Sequence, residues 1–358
     1  MSMFEPTLPE KVNHTYFVLP KFGEHPQQGV TPNDWDMVAD INPAYLVFSQ
    51  SRRAAHTSLG VLMSVWGGAM MFLLFLPFAV KVLLEIDRFG IGIAALGFLL
   101  PVVGLSFAIG GPYRIIRKPL SPILLSRHLR RFYYWQGKKT GWVALNYNDV
   151  VPYAMRVTSV SQAGTATSYF LHVGLLKPGT RKVIQSIRLS DPSRGSILPL
   201  AELWEFLRAY MDGPASQVPA IGYRIPEGQQ RGIHARMDRD MLADLLDDQH
   251  RLQPGLFSKI YFAMQTMTLY WSGRLLPWLE RKRPQPPLPP ELAEAMQWEG
   301  KNPYRIIPPT DIEQKAIDGQ LPYMNRRWFV GMLLSTLFWG GSFLWMSTLS
   351  WRDLLLGP

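Results

Sequence analysis

Three apolar runs limit what this chain can fold into: residues 57–84 and 91–110 near the N-terminus, and residues 328–349 near the C-terminus. A hydrocarbon core of about 30 Å takes about 20 mostly apolar residues of helix, and each run meets that requirement. Within lipid a backbone must satisfy its own hydrogen bonds, so each run is expected as a helix. The chain therefore reads as a multi-pass membrane protein with most of its mass outside the bilayer. Residues 1–6 lack a basic stretch followed by an apolar core, so the first span is expected to double as the insertion signal.

Basic residues flank the runs unevenly. Arg52 and Arg53 precede the first, Arg114, Arg117 and Lys118 follow the second, and Arg326 and Arg327 precede the third. The positive-inside rule places those flanks in the cytoplasm, and residues 85–90 then make a tight turn on the far side. Lys81, near that end, can snorkel outward. An odd number of spans sends residues 350–358 to the far face, with Trp351 and Arg352 suited to the headgroup layer. The expected location is a membrane bordering the cytoplasm, crossed several times, with the main domain cytosolic. A net charge of +10 would suggest nucleic acid in a soluble protein. Here no nucleic-acid-binding module accompanies the charge, and an anionic lipid bilayer is the nearer counterion. The absence of cysteine excludes disulfides, thiolate chemistry and cysteine-ligated metals.

The expected fold class is an α+β membrane protein. Residues 1–50 are rich in Pro, Gly, Asn and Asp and read as an N-terminal cytosolic arm, with a short amphipathic turn over residues 35–41. Tyr16, Phe17, Trp35, Tyr45, Leu46 and Phe48 are too many apolar groups for a solvated tail, so the arm is expected to pack on the cytosolic domain. Residues 51–118 form the transmembrane hairpin. Beyond it the periodicity turns strand-like in short segments over residues 122–125, 129–135, 141–147, 152–158, 168–176 and 182–189, separated by turn signals. Residues 198–211 place Leu200, Leu203, Trp204, Leu207, Tyr210 and Met211 on one helical face, ended by Gly213-Pro214. Residues 119–214 thus read as an antiparallel β-domain capped by one helix.

Within that domain lie Leu125-Ser126-Arg127, the aromatic strand Phe132-Tyr133-Tyr134-Trp135, the turn Gly137-Lys138-Lys139, and Asn148-Asp149-Val150 after the next strand. This succession behind a membrane hairpin resembles the bacterial pleckstrin-homology-like membrane proteins, over roughly residues 55–212. In that family a Trp-Ser-Asp-Ile type sequence follows the third strand; Tyr147-Asn148-Asp149-Val150 keeps an aromatic, the Asp and a β-branched residue. The resemblance implies a PH-like antiparallel domain whose Lys138-Lys139 hairpin tip touches phosphate headgroups, the plainer alternative being a solvated turn. The whole layout is similar to uncharacterised bacterial membrane proteins found near type VI secretion and Rhs toxin genes.

Residues 215–283 read as an additional helical region, in which an acidic helix over residues 238–248 precedes an amphipathic helix over residues 254–279. Lys259 and Arg274 interrupt the latter's apolar face, and burying two cations in a span costs about 2.5–3.5 kcal/mol each. A helix on the cytosolic leaflet or packed on the domain is favoured over a fourth span, with Trp271 and Trp278 as contacts. The Arg281-Lys282-Arg283 cluster after it fits an anionic surface. Residues 284–325 are a Pro-rich connector. Its run Pro284-Gln285-Pro286-Pro287-Leu288-Pro289-Pro290 is either a stiff polyproline II spacer or a ligand for an aromatic groove. Helix is expected at residues 291–298 and 311–318, and residues 326–358 hold the third span and a short tail.

Chemistry-bearing patterns are few. The seven histidines show no i, i+4 pair, no HExxH occurs, and no GxSxG elbow is present. Gly137-Lys138-Lys139-Thr140 is not a P-loop, because Phe132 stands where the first glycine of that motif belongs. His234, Asp238, Asp240, Asp244, Asp247, Asp248 and His250 are close enough in sequence for a metal or an acid–base pair. The favoured reading is a solvated, salt-bridged helix with Arg236 paired to Asp240. No catalytic residue, cofactor or metal is assigned. Gly60, Ser64 and Gly68 recur every fourth residue in the first span, as do Gly331 and Ser335 in the third, giving small-residue faces for span-on-span packing or for a partner's helix.

A non-enzymatic binding role is expected, in the form of an immunity protein that neutralises a secreted type VI or Rhs-type toxin. The alternatives are a scaffold or loading factor for a secretion apparatus, and a protein that binds or modifies lipid at the membrane surface. A protein partner and self-association fit the first two.

Overall fold

The computed structural model describes residues 7–9, 15–25, 27–49, 51–119, 122–161 and 164–355. They form an α+β protein with two antiparallel five-stranded sheets. Three helices are long and apolar enough to span a membrane, at Thr57–Leu84, Ile91–Ile116 and Pro322–Thr348. The expected reading of residues 1–6 and of the final residues 356–358 lies outside the described residues. Two compact units share the chain: Met1–Gln50, Leu120–Arg224 and Gln285–Pro308 make a sheet unit, and Ser51–Pro119, Ile225–Pro284 and Pro309–Pro358 a helical unit. The chain passes from one to the other five times.

The sheet unit begins with β1 (Tyr16–Val18), β2 (Val38–Ile41) and β3 (Tyr45–Phe48). The helical unit's α1 (Ser51–Leu84) and α2 (Ile86–Ile116) come next in sequence. The sheet unit resumes with β4 (Ile123–Ser126), β5 (Arg131–Gly137), β6 (Gly141–Asn146), β7 (Val150–Ser161), β8 (Gly164–Leu176), β9 (Val183–Arg188), β10 (Ser193–Arg194) and α3 (Leu198–Asp212). One sheet runs β2-β3-β4-β5-β6; the other runs β1-β7-β8-β10, with β9 also on β8. The N-terminal segment differs from an arm packed on a domain. It supplies β1 to one sheet and the β2–β3 hairpin to the other, with Leu46 opposite Leu125. The membrane hairpin is thus inserted between two adjacent, paired strands. The expected turn over residues 35–41 is instead a left-handed kink at Trp35 and Asp36 followed by β2.

Alternation along the strands sends Ile123, Leu125, Phe132, Val143 and Leu145 into one core with the buried face of α3. Pro near the first turn of α3 and Gly213 after it delimit the helix. The polar tips of its large aromatics find carbonyls: the Trp204 indole donates to Pro20 O at 2.8 Å and the Tyr210 hydroxyl to Asn42 O at 3.0 Å. Residues 221–222 form β11 (Ile221–Gly222), which lies parallel to β12 (Ile306–Ile307). Residues 215–224 and 285–308 therefore belong with the sheets, and not with a helical region and a free connector.

The helical unit adds α4 (Ile233–Leu242), α5 (Leu256–Lys282), α7 (Asp311–Ile317) and α8 (Pro322–Leu355); α6 (Pro290–Ala295) belongs to the sheet unit. The expected acidic helix over residues 238–248 ends early: α4 stops at Leu242, a 3-10 turn follows, and Asp247 Oδ1 accepts from the backbone N–H groups of Gln249 and Arg251. Such side-chain capture of backbone donors competes with helix. The 85–90 turn is also shorter than expected, since α2 starts at Ile86. Thr310 and Glu313 form a capping box that starts α7. The third membrane helix begins at Pro322, six residues before the apolar run itself, and its last turns continue to Leu355.

Candidate functional site

The stretch from His234 to His250, the densest in chemical groups, folds into the interior of the helical unit. Asp238 is wholly buried. Its Oδ1 accepts from the Trp328 indole at 2.9 Å and from Arg327 Nη2, and its Oδ2 meets His250 Nδ1 at 3.1 Å. Arg327 Nη1 also donates to the His250 carbonyl at 2.8 Å. His234 stacks on the Trp328 ring at 5.9 Å. Burial, and then the charge of Arg274, push its pKa below the usual imidazole value against the pull of Asn325 and Asp238.

A second buried pair starts two residues earlier on the same helix. Arg236 grips Glu280 of α5 through two hydrogen bonds, 2.9 and 2.7 Å, with both side chains nearly inaccessible. Burial disfavours the guanidinium charge, but Glu280 and then Asp240 outweigh it and raise the Arg236 pKa. Glu280 also accepts from Gly228 N–H at 2.7 Å. The expected Arg236–Asp240 pair is present at 3.6 Å as the weaker partner. The solvated-helix reading is therefore corrected: this helix is buried, and its charges are neutralised by Glu280 and Arg327, 44 and 89 positions away in sequence. Such pairings leave the carboxylates holding α4, α5 and α8 together. No group of three or more metal-ligating side chains gathers among the described residues.

The membrane helices meet through their small residues. A Cβ on Gly68 would lie 2.4 Å from Ala108 N, and one on Gly104 2.6 Å from Phe72 N, so the α1 and α2 backbones are in direct contact. Ser64 Oγ donates to Phe107 O at 2.8 Å, whereas Gly60 has only Ile115 nearby, at 3.9 Å. Gly331 faces Thr266 and Phe262 of α5, and Ser335 Oγ donates to Met267 O at 2.9 Å. The small residues of the third span thus face α5, and those of the first span face α2. Between them, Ser58 and Ser272 share a hydrogen bond of 2.8 Å, and Trp66 Nε1 donates to Trp339 O at 3.2 Å.

Helix α5 packs along α1 and α8 and is not apolar enough to count among the spans. Its outward face carries Leu256 and Phe257, more than 70% exposed, with Ile260, Met264, Trp271 and Trp278 further along. In the basic cluster after it, Arg281 donates to Gly228 O at 2.8 Å, and Arg283 donates to Lys118 O at 3.0 Å. Burial lowers the Arg283 pKa. Arg283 thereby covers carbonyls just past the end of α2, and Lys282 lies exposed between the two engaged arginines. Lys138 and Lys139 are exposed at the β5–β6 turn, between Gly137 and Gly141, whose positive φ values shape it.

Together these features define a membrane protein of three apolar helices joined to an antiparallel β-sheet unit. No family model, curated protein or solved structure matches the chain.

Proposed function

We propose that this is a non-enzymatic binding protein of the bacterial inner membrane, with its sheet unit in the cytosol, and that it acts as an immunity protein against a secreted antibacterial toxin. The observation that carries the anchored-binding reading is the insertion of the membrane hairpin between the paired strands β3 and β4. A sheet completed across a membrane hairpin is held at the bilayer by its own fold, as a membrane-resident interceptor requires. Engagement of Asp238, Arg236, Glu280 and His250 in internal pairs favours binding over acid–base chemistry in that stretch. A PH-like identity for the sheet unit is supported by its two antiparallel sheets with α3 filling the core between their inner residues. The toxin reading rests on the resemblance in layout.

The test is protection. Cells expressing the chain are challenged with the toxin encoded beside it, and survival is expected to rise at least a hundred-fold over cells without it. Equal killing, with the protein present in the membrane, ends the immunity reading. A scaffold for a secretion component is the second reading, favoured by the Pro-rich run seated on the sheet unit. Co-purification of apparatus proteins without protection supports it. In either case the exposed Arg114, Arg117, Lys118 and Lys282 supply anionic-lipid contacts.

A further inference from the structure

The sheet that buries Leu125, Phe132 and Val143 on its inner side has a second apolar face. Residues of opposite parity, Leu124 on β4, Tyr133 and Trp135 on β5 and Trp142 on β6, point the other way. Trp135 and Trp142 sit directly opposite each other, their rings 5.8 Å apart in an edge-to-face pair. This aromatic face is covered by the chain's own Pro-rich run. The Trp142 indole donates to Pro287 O at 2.6 Å, and Pro286 is buried. Downstream, Tyr133 donates to Glu291 at 2.9 Å, and Leu292 is fully buried against Leu124 and Tyr133.

The geometry of the run fits a polyproline II ligand. Arg283, which caps α5 just before the run, has φ −74° and ψ 135°, and Pro289 within it has φ −58° and ψ 142°. In that conformation prolines lose little entropy on docking and their carbonyls stay unpaired, free to accept from an indole donor. One donor is left over. The Trp135 indole N–H is buried and has no acceptor, although Trp135 is only 8% exposed. A buried N–H without a partner costs about 1–3 kcal/mol. The face thus holds one indole donor that the resident run engages, on Trp142, and one without an acceptor, on Trp135.

We propose that the outer face of β4–β6 is a polyproline-binding groove, held in this structure by residues 285–290, and that a proline-rich segment of a partner protein competes with that run for it. The competing ligand is an extended, proline-rich peptide with a free carbonyl in register with the Trp142 indole, as Pro287 O is in the resident run. Displacement would release the run that joins the sheet unit to α5, since Pro284 and Gln285 mark a passage between the two units. The inference does not depend on the toxin reading.

The chain has no cysteine, so Leu288→Cys, at a position 41% exposed, gives the detergent-solubilised full-length protein a single thiol for a nitroxide label. A docked run holds the label in a slow-motion spectrum. Tethering keeps the resident run at an effective concentration in the millimolar range, so a peptide with the sequence of residues 283–292 is expected to give half-displacement at about millimolar concentration. The same peptide with alanine for every proline is expected to give none. Trp142→Phe on the labelled background, which keeps the ring and removes the donor, is expected to show the mobile spectrum at least ten-fold enriched without peptide. A label that stays immobile at tens of millimolar peptide, or that responds equally to the alanine peptide, overturns the proposal. So does a Trp142→Phe protein with unchanged label mobility.

Discussion

The two units are stabilised by different means. The sheet unit is organised around buried aromatics, Trp204, Phe206, Tyr210, Phe132 and Tyr147; the polar atoms of Trp204, Tyr210 and Tyr147 reach carbonyls or a carboxylate near the core's edge. Where a charge is buried there, as at Glu205, a neighbouring Arg208 answers it within one helical turn. The helical unit instead places Asp238, Arg236 and Glu280 at its centre, each neutralised from a different helix or loop. Loss of apolar contact is graded by the volume removed. A buried charge pair behaves differently: either partner alone is costly, while removing both can cost nothing.

The largest expected effect tests that difference directly. Arg236→Met leaves Glu280 buried without its cation, and Glu280→Leu leaves Arg236 likewise, so each single variant is expected to lose about 3–5 kcal/mol. The double variant is expected to recover most of that loss, because two apolar side chains of similar size replace the pair. Unfolding of the detergent-solubilised protein for the four members of the cycle measures it. Additive losses would mean that the pair is not a closed unit and that Gly228 and Asp240 share its charge more evenly than the distances imply. A comparable truncation in the sheet unit, Trp204→Ala, has no such rescue, because its loss is a cavity.

A smaller effect separates two glycines of the same helix. Gly68→Ala puts a methyl group against the α2 backbone, where nothing flexible can give way, and is expected to cost about 1–3 kcal/mol by overpacking. Gly60→Ala meets only a side-chain methyl at van der Waals distance and is expected to be neutral or slightly stabilising, since alanine is the better helix former. Resistance of the two variants to denaturation in mixed detergent micelles checks the contrast. Equal behaviour would show that the α1–α2 contact relaxes by sliding.

Period-based features were the legible ones. The apolar runs, the α3 face and the strands from β4 to β9 each carry their signal within a few residues, through hydropathy or alternation. The β2–β3 hairpin gives no strand signal of its own, because its strands have four residues each and their partner β4 lies beyond the whole membrane hairpin. The burial of the α4 charges is hidden in the sequence for a related reason. Asp240 lies four positions from Arg236 and is visible on a helical wheel, whereas Glu280, Arg327 and Trp328 are brought in only by tertiary packing. The Gly and Ser spacings in α1 marked a close helix approach, but spacing alone left open whether the facing helix was a span of this chain or a partner's. The aromatic strand β5 was visible as a motif, while its second, outward face became meaningful only with the Pro-rich run seated on it.

The smallest expected effect is a pH dependence confined to the helical unit. His234, stacked on Trp328, is partly buried and near the cations Arg274 and Arg327; burial first and then those charges disfavour its protonation in the folded state, and Asn325 and Asp238 oppose them and are outweighed. Its folded pKa lies below the ordinary value of about 6.5. Between those two values the unfolded chain binds a proton that the folded chain does not, so stability falls as pH falls through that window and is fully retained above it. His234→Phe keeps a ring on Trp328 and removes the titration. Thermal unfolding at pH 7.5 and pH 5.5 should therefore show a larger downward shift in Tm for the native protein than for His234→Phe. Parallel shifts would assign the acid sensitivity to other groups and reduce His234 to a packing residue beside the Asp238 network.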